Sequence, residues 1–267
     1  MTAPLVFIVP VRHQGSVSDW SVLKKYLGQT LASIAAQTVS GWECIVVANR
    51  GADLPDLPKG CRAEFVDLPL PALPDRTTML DEYYDGVRAD KGQRIYAGVR
   101  AVASDSHVMV VDFDDFVSCR LAEFVVQNRT NAGWNIEDGY LWSGGGWCYL
   151  QSRFHEMCGT SHIIRRDLLG VFEQDGKVDM DGIKRRLGSH IFIHRDLAIA
   201  GHPLSALPFP GAIYRIGNAQ STSGNGALFR VATPPRQFFT HPFRASQYLL
   251  RYRRVGVDLR NEFSIFS

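Results

Sequence analysis

Hydrophobic positions along the chain fall into two recurring patterns. Leu5-Val6-Phe7-Ile8-Val9 is an apolar run without alternation, as suits a strand covered on both faces in a parallel sheet. Pro10 ends it. After a polar loop, Asp19 stands where a helix N-cap is expected, and Leu23, Tyr26, Leu27, Leu31 and Ile34 follow at three-and-four spacing. They form one apolar stripe of a helix that packs on the sheet. Cys44-Ile45-Val46-Val47 predicts a second buried strand broken at Asn49-Arg50-Gly51, and residues 63–68 predict a shorter third.

Residues 68–74 carry three prolines and predict an irregular connection. A second helical pattern then places Ile95, Val99 and Val102 on one face and leads into Val108-Met109-Val110-Val111, a strand that runs out into Asp112-Phe113-Asp114-Asp115. Strand, helix, strand in this succession predicts an α/β fold of Rossmann-like type, a mixed and mostly parallel sheet flanked by helices. In such sheets ligands collect beyond the carboxyl ends of the strands, which is where the acidic cluster falls. From about residue 121 the texture becomes less regular, with Trp134, Trp142, Trp147 and the glycines 144–146, and residues 191–200 predict a last helix before Gly201. Residues from 231 onward are rich in arginine and aromatics (Arg236, Arg244, Arg251, Arg253, Arg254, Arg260).

Composition narrows the class. The 267 residues, 45% of them hydrophobic, suffice for one compact core. The formal net charge of +2 marks the chain neither for nucleic acid nor for an anionic membrane. Five scattered cysteines (Cys44, Cys61, Cys119, Cys148, Cys158) without C-x-x-C spacing argue against a disulfide framework or structural zinc and fit a reducing cytoplasm. The first apolar run is too short for a signal segment, and no stretch approaches eighteen apolar residues, so membrane contact is expected to be peripheral at most.

Asp112 and Asp114 are separated by one residue at a strand end, and alternate side chains of a strand share a face. Two such carboxylates can aim oxygens at one hard cation, Mg²⁺ or Mn²⁺, which completes its shell with water and substrate phosphates. The plainer reading is an Asp-rich turn that solvates a strand end.

The order of these pieces resembles the family 2 glycosyltransferases of GT-A fold. The matching segments are Ile8-Val9-Pro10-Val11, Ile34-Ala35-Ala36-Gln37-Thr38, Trp42-Glu43-Cys44-Ile45-Val46-Val47, Val111-Asp112-Phe113-Asp114-Asp115, and a later stretch from Gly159 through Arg165-Arg166 to Leu169. The likeness spans roughly residues 5–223 and lies in order and spacing. It implies a metal-dependent transfer of a sugar from a nucleotide diphosphate to an acceptor hydroxyl, with inversion. It also implies one domain over 1–230, with a nucleotide-sugar half (1–116), an acceptor half (117–230) and an Arg-rich extension (231–267). Asp114 would hold the cation with Asp112, and Asp115 would support them. Pro10, Val11, Arg12, Asn49, Asp112 and Phe113 would border the nucleotide sugar, Asn49 standing where the family usually has aspartate. Lys91 and Arg94 would serve the diphosphate or be exposed helix charges. Trp147, Glu156 and Arg165 would face an acceptor of carbohydrate, lipid-linked or protein type.

The pattern departs from the family at the catalytic base. The expected Glu-Asp pair falls on Ser189-His190. A neutral imidazole with an unperturbed pKa near 6.5 is a competent base, and His190 is the expected base, with a metal contact or a structural role as alternatives. His190 and His194, four apart, also have the spacing of two zinc ligands, but no third ligand is evident. Glu156 and Asp181 are the next carboxylates of interest. Two of the three tryptophans are expected in the core. The extension would cover the site, contact an anionic acceptor, join two copies or remain a solvated arm. Two other functions compete: a degenerate GT-A domain that only binds carbohydrate or a partner, and a haloacid-dehalogenase-like phosphatase with Asp112 as nucleophile. The second places its D-x-D strand near the chain start, unlike this sequence.

Overall fold

The computed structural model describes residues 3–217 and 248–265. Its main sheet has seven strands among the described residues: β1 (Leu5–Pro10), β2 (Trp42–Asn49), β3 (Cys61–Val66), β4 (His107–Val110), β6 (Gly133–Asn135), β9 (His162–Arg165) and β12 (Ser205–Ala206). Their order is β12-β6-β9-β4-β1-β2-β3. Neighbours pair in parallel except β9, which runs antiparallel to both β4 and β6. The expected mixed, mostly parallel sheet flanked by helices is present.

Two faces of β1 feed two cores because successive side chains point to opposite sides. Leu5, Phe7 and Val9 join Leu23, Leu27, Leu31 and Ile34 of α1 (Trp20–Ala35) and residues of α3 (Leu121–Gln127). Val6 and Ile8 join Ile95 and Val99 of α2 (Leu80–Val99), Ile183 of α4 (Met180–Arg186), and Ile193 and Leu197 of α5 (His190–Ile199). The continuous hydrophobic run of β1 follows from this double coverage. Asp19 caps α1 as expected, accepting the Ser21 and Val22 amides at 3.0 and 3.3 Å.

The irregular second half contains another sheet that periodicity did not reveal. Strands β5 (Phe116–Val117), β7 (Asp138–Trp142), β8 (Trp147–Ser152), β13 (Ala212–Arg215) and β14 (Tyr252–Arg254) are ordered β14-β8-β7-β13-β5. A two-stranded ribbon, β10 (Glu173–Gln174) with β11 (Lys177–Val178), stands apart from both sheets. Of the described residues after 247, Tyr252–Arg254 belong to the second sheet. Arg253 and Arg254 pair with Cys148 and Trp147, and Phe263 of α6 (Val257–Phe263) is fully buried. Arg120 binds Glu262 at 2.6 Å. Arg236 and Arg244 lie outside the described residues.

The five cysteines are unpaired thiols. No helix among the described residues is long and apolar enough to cross a membrane.

Candidate active site

A cavity of about 450 Å³ opens beyond the carboxyl ends of β1 and β4. Pro10 and Arg12 come from the end of β1, Asp112, Phe113 and Asp114 from the end of β4, and Glu156 and His190 close the far side. These segments, far apart in sequence, meet there because β1 and β4 are adjacent and parallel, so both strands release their chains at the same edge.

Buried polar contacts hold the acidic segment in place. The Thr160 hydroxyl lies 2.9 Å from the Asp112 amide, whose N–H it accepts, and donates to the Asp115 carboxylate at 2.6 Å. Asp115 also accepts the Arg215 amide at 3.1 Å and the Cys158 thiol at 3.3 Å. Burial, then the nearby Asp114 and Asp112, push the Asp115 carboxyl well above the ordinary carboxylate range, against the hydrogen bonds from Thr160 and Arg215. The Arg215 guanidinium donates to the Asp114 carbonyl at 3.0 Å and to Gln29 at 2.6 Å, and lies over the rings of Tyr26, Phe116 and Trp142. Asp115 and Arg215 thus form a rear wall, while Asp112 and Asp114 line the cavity.

One face of α2 supplies the opposite wall. Tyr84, Arg88, Lys91 and Arg94 recur at three-and-four spacing, and all line the cavity. The Lys91 ammonium donates to Asp112 at 2.5 Å. Burial alone would lower the lysine, but Asp112 and its hydrogen bond outweigh that and raise its pKa, so it stays charged. Arg94 is only 1% exposed, which overturns the reading of it as an exposed helix charge. It is held bidentately by Asp90 at 3.0 and 2.8 Å and donates to Asn49 at 2.7 Å. The Asn49 amide in turn donates to the Leu68 carbonyl at 2.7 Å. Both ends of Asn49 are therefore used inside the protein, and the residue does not line the cavity.

A divalent cation on Asp112 and Asp114 would need their oxygens turned to a common point. Asp112 is given to Lys91, Asp115 is filled by three donors, and Asp114 lies in the fields of Arg12 and Arg215. No group of three His, Cys, Asp or Glu side chains among the described residues is placed to hold a metal ion. As arranged, the carboxylates do not fit the expected ion.

His190 begins α5 and lines the cavity, its ring hydrogen-bonded to the Glu156 backbone. Burial, followed by the positive charge of Lys91, lowers its pKa to about 4. The ring is thus neutral at pH 7 and holds a proton less tightly than its unperturbed value implies. Behind it, His155 stands between His162 and His194, with ring centroids 6.0 and 5.2 Å away. Burial and the neighbouring imidazoles hold His162 well below the ordinary histidine range.

Among known proteins, no family model and no curated protein matches the chain. Solved structures do. The apo-form glycosyltransferase GlyE of Streptococcus pneumoniae TIGR4 matches over 93% of this chain at 9% identity with a TM-score of 0.35. A second structure of GlyE matches over the same share at 11% identity with a TM-score of 0.33. The chain spans 64% of the length of each of these structures. Likeness this remote carries no information about activity.

Of the residues singled out in the sequence, Pro10, Arg12, Lys91, Arg94, Asp112, Phe113, Asp114, Glu156 and His190 come together at the cavity. Val11, Asn49, Trp147 and Arg165 do not line it. Val11 is fully buried in the core beneath. Arg165 stands opposite His107, at the far end of β4 from Asp112, paired with Asp167 at 2.7 Å. Trp147 is 57% exposed on the second sheet, whereas Trp134 and Trp142 are core residues. Asp181 lies on α4, exposed and 3.3 Å from Lys184. Sequence reasoning missed Tyr84 and Arg88, although their spacing with Lys91 and Arg94 was a visible signal. It also missed Arg215, which no local pattern distinguishes.

Proposed function

We propose that the protein is a glycosyltransferase that moves a sugar from a nucleotide diphosphate to an acceptor hydroxyl at this cavity. One observation carries the reading: Arg12, Arg88 and Lys91 line, together with Asp112, Asp114 and His190, one cavity large enough for a nucleotide sugar. Arg94 is neutralised by Asp90, and Glu156 is paired with Arg153. What remains is suited to an anion with a sugar attached. The order of segments shared with family 2 glycosyltransferases supports the same reading.

In the proposed reaction the acceptor oxygen bonds to the anomeric carbon as the bond from that carbon to the diphosphate oxygen breaks. The bonding pair leaves with the diphosphate. The acceptor proton passes to the His190 ring nitrogen that is not bonded to the Glu156 backbone. A diphosphate bound against Lys91 would offset the part of the lowering that comes from the lysine's charge, while the larger part, from burial, remains.

A thermal-shift screen of UDP-, GDP- and TDP-sugars, followed by measurement of nucleoside diphosphate release, tests this. At least one donor should raise the melting temperature and be turned over. His190→Ala should retain donor binding but release product about 100-fold more slowly or worse. If no sugar nucleotide binds, or if His190→Ala turns over normally, the reading is wrong.

A further inference from the structure

The misfit between the carboxylates and a divalent cation points to a different source of positive charge. We propose that the Lys91 ammonium, with Arg12 lining the same cavity, neutralises the diphosphate, so that the donor binds without a divalent metal. This rests on the reading of the cavity as a donor site and specifies how that site manages charge.

Three observations support it. First, Lys91 binds the first carboxylate of the D-x-D segment at 2.5 Å. Both side chains remain about a quarter exposed, 27% and 28%, so the pair sits at the cavity surface where a phosphate can reach it. An ammonium has three N–H donors, and the bond to Asp112 uses one.

Second, the lysine is held in position by packing. A Cβ at Gly159 would fall 2.8 Å from the Asp112 carboxylate and 3.0 Å from Lys91 Nζ, so the backbone presses against both ends of the ion pair. The turn between α4 and α5 lies equally close to α2: a Cβ at Gly188 would collide with the Arg88 carbonyl, one helical turn before Lys91. The cation therefore sits on a helix that is closely packed one turn away, at Arg88.

Third, the remaining carboxylates are occupied. Asp115 receives hydrogen bonds from Thr160, Cys158 and the Arg215 amide, and Asp114 is within the fields of the Arg12 and Arg215 guanidinium groups. The negative charge that arrives on the diphosphate oxygen as its bond to the sugar breaks is met by side-chain cations already in place, which is the electrostatic task a metal would otherwise perform.

Titration calorimetry of the full chain with UDP and GDP, once in EDTA and once with MnCl₂, tests the proposal. Wild type should bind one of these probes with affinities that agree within about threefold between the two conditions. Lys91→Met, which keeps the apolar stem, should weaken binding in EDTA by about tenfold or more, and Mn²⁺ should restore part of the loss because Asp112 is released. Lys91→Arg should retain binding in EDTA. Binding by wild type that requires Mn²⁺ overturns the lysine's role and leaves the donor site standing, and so does unchanged binding by Lys91→Met in EDTA. If wild type binds neither nucleotide in either condition, both the lysine's role and the donor-site reading fall. The wild-type comparison does not depend on how well the variants fold.

Discussion

The fully buried Asp115 carboxylate accepts the Arg215 backbone N–H at 3.1 Å, joining the end of β4 to the second sheet. The Arg215 side chain then reaches past this contact to the Asp114 carbonyl and Gln29. The two sheets are thereby tied together directly behind the cavity.

Arg215→Met should cost about 2–4 kcal/mol of stability, because it removes the two side-chain bonds and leaves the Asp114 carbonyl and Gln29 without their donor, while the backbone bond to Asp115 remains. Arg215→Lys should recover only part of that, since an ammonium cannot reproduce the planar fork over three aromatic rings. Urea unfolding checks both. A loss below about 0.5 kcal/mol for the methionine variant would show that the tie is not structural.

Asn49 tests whether a residue expected at the nucleotide base is instead part of the frame. Its replacement by Ala leaves a buried Arg94 N–H and the Leu68 carbonyl unpaired, at a cost of about 1–3 kcal/mol. Nucleoside diphosphate affinity should change by less than about threefold. A large loss of affinity with unchanged unfolding would reverse that assignment.

Gly159→Ala places a methyl against both members of the Lys91–Asp112 pair. The backbone at this position does not require glycine's left-handed conformation, so the effect should be local. Nucleoside diphosphate affinity should fall by about tenfold, or 1.4 kcal/mol, while the melting temperature moves by only a few degrees. Affinity equal to wild type would show that the ion pair has slack.

Stability should fall on acidification. His190 has a folded pKa of about 4 against an ordinary value near 6.5, so between these values the unfolded chain binds a proton that the folded chain does not. Stability from this group is complete above the upper value and is lost as pH falls toward the lower one. For His190 alone the loss is on the order of 3 kcal/mol across that window. His162 is lowered in the same direction and should add to it. Urea unfolding at about pH 7 and about pH 5 measures the difference, and His162→Gln should reduce it. Equal stability at both values would contradict the buried neutral state of these rings.

Much of the scaffold could be read locally. The runs at 5–9, 44–47 and 108–111, the α1 stripe and its Asp19 cap all appear near their expected places, because periodicity and capping are properties of neighbours in sequence. The position of Asp112 and Asp114 beyond a strand end followed from the same short-range signals. The antiparallel reversal at β9 and the second sheet were not legible, since short strands such as β5 acquire their identity from partners almost a hundred residues away. The fates of the charged residues depended even more on the fold. Nothing near Arg94 in sequence announces Asn49, and nothing near Asp112 announces Lys91, because ion pairing is decided by which helix face the packed sheet leaves beside which strand end. The chain's own order determined that carboxylates would stand at the edge of a parallel sheet. Only tertiary packing, which pressed α2 against Gly159 and Gly188, decided that a lysine would meet them there.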